Sequence, residues 1–138
     1  MIGHGRFGAA LMTLLAAHGH RCLAWDSASA VPEAQGVADL DGLLARSDLI
    51  VIAVPVAVFE TVLEELRPRL GPQHLVMDVC SVKQGPCALM DKLLGDAVPH
   101  IGCHPLFGPL SIARAEALRT VLSPSPQHSA SVQARRFG

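Results

Sequence analysis

Two features near the start of the sequence have the residue types and spacing of a dinucleotide site. Gly3-His4-Gly5-Arg6-Phe7-Gly8 matches the pattern G-x-G-x-x-G. In that pattern the first glycine allows a tight turn, the second lets a pyrophosphate approach the backbone, and the third lets a helix pack against a strand. Asp26 lies 18 residues after Gly8, close to the spacing of about 20 expected of a carboxylate that accepts hydrogen bonds from an adenosine ribose.

The acidic residue also indicates which dinucleotide would bind. A carboxylate at Asp26 would repel a 2′-phosphate, and no arginine follows it in Ser27-Ala28-Ser29. The sequence therefore predicts NAD rather than NADP. The plainer alternative is an ordinary glycine turn with Asp26 as a solvated loop acid, and the joint occurrence of loop, helix and acid disfavours it.

Ser81 and His104 are the candidate catalytic side chains. Ser81 belongs to Asp78-Val79-Cys80-Ser81-Val82-Lys83, and His104 to Gly102-Cys103-His104-Pro105-Leu106-Phe107-Gly108-Pro109. Both motifs follow predicted strands, so both should lie at the sheet edge that carries the glycine loop. A histidine that titrates near neutrality suits the removal of a proton from a hydroxyl group. Ser81 as a helix N-cap and His104 as a structural residue are the alternatives. Lys83 either orients this edge of the sheet or pairs with a carboxylate, and the sequence does not decide between the two roles.

The histidines and cysteines do not predict a metal site. Cys80, His100, Cys103 and His104 invite comparison with zinc ligands, but the spacing lacks a second matching pair, and alternation along a strand points Cys103 and His104 to opposite faces. The four cysteines are thinly spread, as is typical of reduced thiols in the cytoplasm.

Helical and strand-like segments alternate along the chain and would position these residues. The predicted helices follow the glycine loop to His18 and cover Asp41–Arg46, Val58–Leu66, Cys87–Leu94 and Ser111–Arg119. The predicted strands are Met1-Ile2, Cys22–Trp25, Val37-Ala38, Leu49–Val54, Leu75–Val79, Val98–Cys103 and Val121-Leu122. This order predicts an α/β fold with a doubly wound, Rossmann-like, mostly parallel sheet and helices on both faces, in which the first strand is nearly absent.

Length and composition agree with one folded domain. The chain has 138 residues, of which 50% are apolar and 17% charged, and its net charge is −1. This balance gives no support to a nucleic-acid partner. The apolar run after Arg6 is too short to span a bilayer and lacks a well-placed cleavage site, so we expect no secretory signal or membrane segment and a cytoplasmic location. We expect a domain over residues 1–124 and an irregular tail over 125–138.

Taken in order, these motifs resemble the nucleotide-binding domain of the prephenate and arogenate dehydrogenase family. The similarity lies in the glycine loop, in the strand that ends at Ala53-Val54-Pro55, in Cys80-Ser81-Val82-Lys83 and in the motif around His104. The resemblance implies an NAD-dependent oxidative decarboxylation of prephenate or arogenate in tyrosine biosynthesis. It implies that His104 accepts the ring hydroxyl proton, that Ser81 bonds the hydroxyl or His104, and that Ala53, Val54 and Pro55 run beside the cofactor.

The chain also departs from that family. Members carry a helical second domain that binds the substrate carboxylates and forms most of the homodimer interface, and residues 1–138 do not include it. The resemblance therefore implies an incomplete enzyme, dimeric only if that domain is supplied. Two other functions stay open: a stand-alone NAD-binding or sensing module without catalysis, and another hydroxyacid-type dehydrogenase domain.

Overall fold

A computed structural model describes residues 1–126 of the chain. The helices are α1 (Arg6–Ala17), α2 (Leu40–Ala45), α3 (Val56–Leu66), α4 (Gln84–Leu94) and α5 (Pro109–Ala113), with a short 3₁₀ turn at Arg67–Arg69. The strands are β1 (Leu49–Ile52), β2 (Leu75–Asp78), β3 (His100–Pro105) and β4 (Thr120–Pro124). Apart from Ser125 and Pro126, the tail expected over 125–138 lies outside the described residues.

The strands form one open sheet in the order β1-β2-β3-β4. β1, β2 and β3 are parallel, and β4 pairs with β3 in the antiparallel direction. Beyond β1 the sheet continues through single bridges, from Ile52 to Ile2, from Ile2 to Trp25 and from Ala24 to Gly36, all parallel. The connections thus wind outwards in both directions from the boundary between Ile2 and β1, as in a doubly wound sheet. The predicted fold class is confirmed.

Ile2 occupies the position of a central strand in the sheet, although the segment that pairs there is very short. Its N–H donates to Val51 O at 2.8 Å, and its carbonyl accepts from Ala53 N at 2.8 Å. On the other side, Trp25 N donates to Met1 O at 3.1 Å and Gly3 N to Trp25 O at 3.0 Å. The side chain of Ile2 is buried in the main core. Met1 and Ile2 therefore take the place of the first strand, with backbone hydrogen bonds to a neighbouring segment on each side.

The main hydrophobic core lies on the sheet face covered by α2, α3 and α4. β1 contributes Ile50 and Ile52 to this core, and its run Leu-Ile-Val-Ile is apolar throughout, as is typical of a strand covered on both faces. α3 presents Phe59, Leu63 and Leu66 to this core at helical spacing, each fully buried. A smaller cluster joins Met12 of α1 to Val51 on the opposite face. There an apolar cavity of about 650 Å³ extends between α1 and the sheet.

Several element boundaries differ from those expected from the sequence. β1 ends at Ile52, two residues early, because the chain turns towards Pro55 and α3. The helix expected over Ser111–Arg119 is instead Pro109–Ala113. Pro109 suits a first helical position, and Ala115, with φ of 52°, leaves the right-handed helical region. The expected strands Cys22–Trp25 and Val37-Ala38 are reduced to bridges at residues 24, 25 and 36.

No helix within residues 1–126 combines the length and the apolar character needed to cross a membrane.

Candidate active site

The glycine loop has the geometry that each glycine of the motif requires. Gly3 has φ of 93°, and a Cβ placed on it would lie 2.5 Å from Ala53 O. A Cβ on Gly8 would lie 2.4 Å from Gly3 O, so this glycine permits the close approach of α1 to the loop. Gly5 faces open space, with no heavy atom within 4 Å of its hypothetical Cβ. That opening fits the approach of a pyrophosphate to the backbone, and the loop therefore suits a dinucleotide.

α1 begins directly at this loop. Gly5 is its N-cap and offers no side chain to the first turn, so the helix starts with backbone N–H groups available for an anion. Arg6, at the first helical position, is exposed and lines the adjacent cleft with Gly5, Phe7 and Gly8. The partial positive charge of the helix terminus and the guanidinium charge both favour a phosphate group at this place.

Asp26 connects the glycine loop to the turn that follows it. One carboxylate oxygen accepts the His4 N–H at 2.6 Å, and the other accepts Ala28 N–H at 2.7 Å and Ser29 N–H at 2.8 Å. Partial burial on its own would raise the pKa of this carboxyl, but those hydrogen bonds outweigh it, and the pKa lies below its ordinary value. Asp26 is therefore ionised near neutrality and held between the glycine loop and the following turn by these hydrogen bonds.

His4 makes a second link between the same two segments. Its ring Nδ1 lies 3.2 Å from Ala30 O, so the imidazole bridges from the glycine loop to the turn after Asp26. Gly3, His4 and Asp26 lie beside the cleft that Gly5–Gly8 line, and they do not line it themselves.

One cleft of about 420 Å³ brings most of the predicted site residues together. Its walls come from the glycine loop, from the segment after β1, from the segment after β2 and from the end of β3. They contain Gly5, Arg6, Phe7, Gly8, Ala53, Val54, Pro55, Ser81 and His104. The cleft thus lies at the carboxyl ends of the parallel strands, beside the switch point of the sheet, where ligands of such sheets bind.

Ser81 and His104 enter this cleft from neighbouring strands. Ser81 is exposed and His104 half-buried. The N-cap interpretation of Ser81 is wrong, because α4 begins at Gln84 and Lys83 occupies the N-cap position. Cys103 lines the apolar cavity on the α1 side instead, in agreement with the expected alternation along β3.

A buried ion pair lies beneath Ser81 and His104. Asp78 is fully buried at the end of β2, and its Oδ1 accepts from the ammonium of Lys83 and from Cys80 N–H at 3.0 Å. The same ammonium donates to Cys103 O at 2.7 Å. Sequence reasoning singled out the motif but missed the role of Asp78. The sequence pattern that could have indicated this role is an acidic residue at the end of an apolar strand, followed by a lysine five residues later.

An aromatic pair closes one end of the cleft. The rings of Phe7 and Phe107 lie 6.0 Å apart between centroids, at an interplanar angle of 41°. Phe7 lies in the first turn of α1 and Phe107 follows β3, so the contact joins the glycine-loop end of the cleft to the loop after His104. Sequence reasoning noted both residues in their motifs and did not pair them.

Within residues 1–126, no group of three or more histidine, cysteine or acidic side chains is placed to hold a metal ion.

Comparison with known proteins agrees with this geometry. Residues 27–128 match the family model described as prephenate dehydrogenase, nucleotide-binding domain. A probable arogenate/prephenate dehydrogenase of Methanocaldococcus jannaschii is 32% identical over 83 residues, 60% of this chain and 18% of that protein. A glycerol-3-phosphate dehydrogenase [NAD(P)+] of Pseudomonas syringae is 30% identical over 129 residues, 79% of this chain and 38% of that protein.

Among solved structures, the arogenate dehydrogenase of Synechocystis superposes with a TM-score of 0.79 at 27% identity. The alignment covers 96% of this chain and 52% of that one. The chain therefore spans about half the length of this structural relative and less of the sequence relatives. The match over residues 27–128, the shared fold and the cleft at the switch point together show that the chain belongs to the family of prephenate dehydrogenase nucleotide-binding domains.

Proposed function

We propose that this chain is the NAD-binding and proton-abstracting part of a prephenate or arogenate dehydrogenase of tyrosine biosynthesis. The observation that carries the proposal is the single cleft that holds the glycine loop, Ser81 and His104. Family membership supports the same reaction class. The substrate would be a cyclohexadienol that loses a hydride and CO₂ as its ring becomes aromatic.

The glycine loop and Asp26 would hold the two ends of the adenosine diphosphate half. The Gly5 N–H, the first N–H groups of α1 and the Arg6 side chain meet the pyrophosphate, and the ionised Asp26 accepts hydrogen bonds from the ribose. Since the carboxylate disfavours a 2′-phosphate, we propose NAD as the cofactor. When bound, NAD supplies the acceptor for the hydride.

His104 and Ser81 would act on the substrate hydroxyl. The imidazole of His104 accepts the hydroxyl proton as the hydride leaves the same carbon. Ser81 bonds the hydroxyl or His104 and holds the reacting carbon in place, so its contribution is positional as well as electrostatic. Ala53, Val54 and Pro55 form the wall along which the cofactor lies.

The substrate carboxylates need a further source of positive charge. Arg6 is the one lysine or arginine that lines the cleft within the described residues, and the pyrophosphate would occupy it. Arg114 is exposed and lies 3.9 Å from Glu116, which marks a solvated pair rather than a carboxylate clamp. We therefore propose that the chain alone binds NAD and turns substrate over slowly or not at all, and that it forms an active homodimer only with a helical substrate domain.

The first experiment measures quenching of Trp25, the single tryptophan, as NADH and then NADPH are added. Trp25 pairs with Ile2 and directly precedes Asp26, so bound adenosine should change its emission. We expect saturable quenching with a preference for NADH. The absence of a saturable response to either nucleotide, in a folded sample, would contradict the proposal.

Turnover then separates the remaining functions. NADH formation from prephenate or arogenate supports the proposed reaction. Reaction with glycerol 3-phosphate would favour another dehydrogenase class, which the similarity over 129 residues makes the specific rival. Saturable NADH binding without turnover of any of the three substrates, even when the chain is joined to a helical substrate domain, would favour a binding or sensing module.

A further inference from the structure

Lys83 joins the two strand ends that carry Ser81 and His104. Its ammonium contacts Asp78 Oδ1 at the end of β2 and donates to Cys103 O at 2.7 Å. Cys103 directly precedes His104, so that carbonyl belongs to the peptide bond that begins His104. Residues 78–83 therefore form a short loop, closed by an ion pair at its base, with Ser81 near its tip.

The burial of this ion pair makes it rigid. Asp78 is 0% exposed and the side chain of Lys83 only 18% exposed. Asp78 Oδ1 also accepts Cys80 N–H at 3.0 Å, which fixes the backbone one residue before Ser81. Asp78 Oδ2 is buried with no hydrogen-bond partner among the described residues. It lies 3.3 Å from the point that a Cβ on Gly102 would occupy, so β3 packs closely against this carboxylate.

A buried pair of this kind is poorly explained by stability alone, because desolvation of two charges offsets much of their attraction. A lysine at this place has a second feature that stability does not require, namely the bond to Cys103 O. Lys83 does not line the cleft, so it is not placed to touch cofactor or substrate.

We propose that Lys83, held by Asp78, is a positioning residue that sets the separation of Ser81 from His104. This inference deepens the proposed function and rests on it for its effect on turnover. A misplacement of reacting groups by about 1 Å can cost about a hundredfold in rate, so the loss of this link should lower kcat far more than it lowers cofactor affinity.

The test compares four variants of the full chain. Lys83→Met removes the ammonium at similar length, Lys83→Arg keeps a charged donor, and Asp78→Asn removes the anion. The double variant Asp78→Asn/Lys83→Met removes both charges, so it leaves no unpaired buried charge and should fold even if Lys83→Met does not. Lys92→Met is the matched control, because Lys92 is an exposed lysine of α4, the helix that follows Lys83.

The readout that does not need turnover is the imidazole resonance of His104. Histidine carrying ¹³C at Cε1 gives one signal for each ring, and the signal lost in His104→Gln identifies His104. We expect Lys83→Met, Asp78→Asn and the double variant to shift this signal by similar amounts, because the pair acts as one unit. Lys83→Arg should shift it less, Lys92→Met should leave it unchanged, and NADH affinity should stay within threefold in all five.

The separate effects on kcat and on KM give a second readout. It applies where the chain, alone or joined to a substrate domain, turns over prephenate or arogenate. We expect the double variant to recover thermal stability relative to Lys83→Met but to keep a kcat about a hundredfold below the parent, with KM for NAD unchanged. A merely structural role would restore kcat together with stability, and that result would overturn the proposal.

Two further results would also overturn it. Loss of NADH affinity in Lys83→Met equal to the loss of turnover would make Lys83 a cofactor ligand. An unchanged His104 signal in the folded double variant would show that the pair does not position the imidazole. A parent chain that binds NADH but turns over neither substrate even when it is joined to a helical substrate domain contradicts the proposed reaction instead, and the His104 signal then decides the positioning role by itself.

Discussion

His104 is the one histidine that lines the cleft among residues 1–126. In a form of the chain that turns over substrate, His104→Ala should reduce hydride transfer by about 10²- to 10⁴-fold, because no other cleft side chain is placed to accept the hydroxyl proton. NADH affinity should stay within a few-fold, since the phosphate and ribose contacts lie elsewhere. The measurement is turnover together with Trp25 quenching, and His20→Ala, which changes an exposed histidine outside the cleft, is the control. Equal loss of binding and turnover would contradict the role of His104.

Asp26 should decide between the two nicotinamide dinucleotides. Asp26→Ala removes the ribose acceptor and also releases the N–H groups of His4, Ala28 and Ser29. We expect weaker NADH binding and a narrower gap between the NADH and NADPH dissociation constants, both measured by quenching of Trp25. An unchanged preference would show that Asp26 does not face the ribose.

The same carboxylate gives a pH dependence with a defined sign. The pKa of Asp26 in the folded chain lies below the ordinary value of 3.8. Its contribution to the free energy of unfolding is therefore complete above that value and is lost as the pH falls through the folded-state pKa. The stability difference between the parent chain and Asp26→Asn, from urea unfolding, should be constant near neutrality and shrink in strong acid. A difference that grows on acidification would contradict this sign.

At the scale of elements, two glycines of the loop before α1 should have different roles: Gly3 in folding and Gly5 in nucleotide binding. Gly3→Ala places a Cβ in the left-handed region and 2.5 Å from Ala53 O, so it should destabilise the fold by about 1–3 kcal/mol or more. Gly5→Ala meets open space and has φ of −70°, so it should leave stability within about 0.5 kcal/mol. It should still weaken NADH binding at least tenfold, because the methyl group occupies the approach of the pyrophosphate.

Thermal unfolding and Trp25 quenching of both variants check this division. Gly85→Ala supplies a control, because Gly85 also meets open space but lies in α4, away from the cleft. Weak binding by Gly85→Ala, or full binding by Gly5→Ala, would show that the loop does not face the nucleotide.

Elements with a strong local pattern were predictable from the sequence. The β-branched run in β1 and the apolar spacing of α3 indicate their structure without tertiary information. The end of α5 was not predictable from the sequence, because the residue that adopts the left-handed conformation there is Ala115 and not a glycine. In the site, shared strand ends made Ser81 and His104 predictable as neighbours. The link from Lys83 to Cys103 O was not predictable, because it joins residues 20 positions apart and depends on how β2 and β3 pack together.

At the scale of the molecule, stability should depend mainly on the core beneath α3. Phe59 is fully buried there. Phe59→Ala should lower the free energy of unfolding by about 3–5 kcal/mol through lost transfer energy and a residual cavity. Val58, its neighbour on the same helix, is 44% exposed, and Val58→Ala should change stability by no more than about 0.5 kcal/mol. Urea unfolding measures both, and similar losses in the two variants would contradict the assigned core.

The single-residue bridge at Ile2 has a consequence for dynamics. The segment that carries Ala24, Trp25 and Asp26 joins Met1, Ile2 and Gly3 through one bridge and three backbone hydrogen bonds, whereas β1, β2 and β3 share continuous ladders. Such a segment should open as a separate cooperative unit, and its amides should exchange with solvent deuterium before those of β2. A dinucleotide whose ribose rests on Asp26 and whose other end rests beside His104 spans both units. Its binding would therefore stabilise the contact between the two units and slow that hydrogen exchange, so the cofactor would contribute to the stability of the sheet.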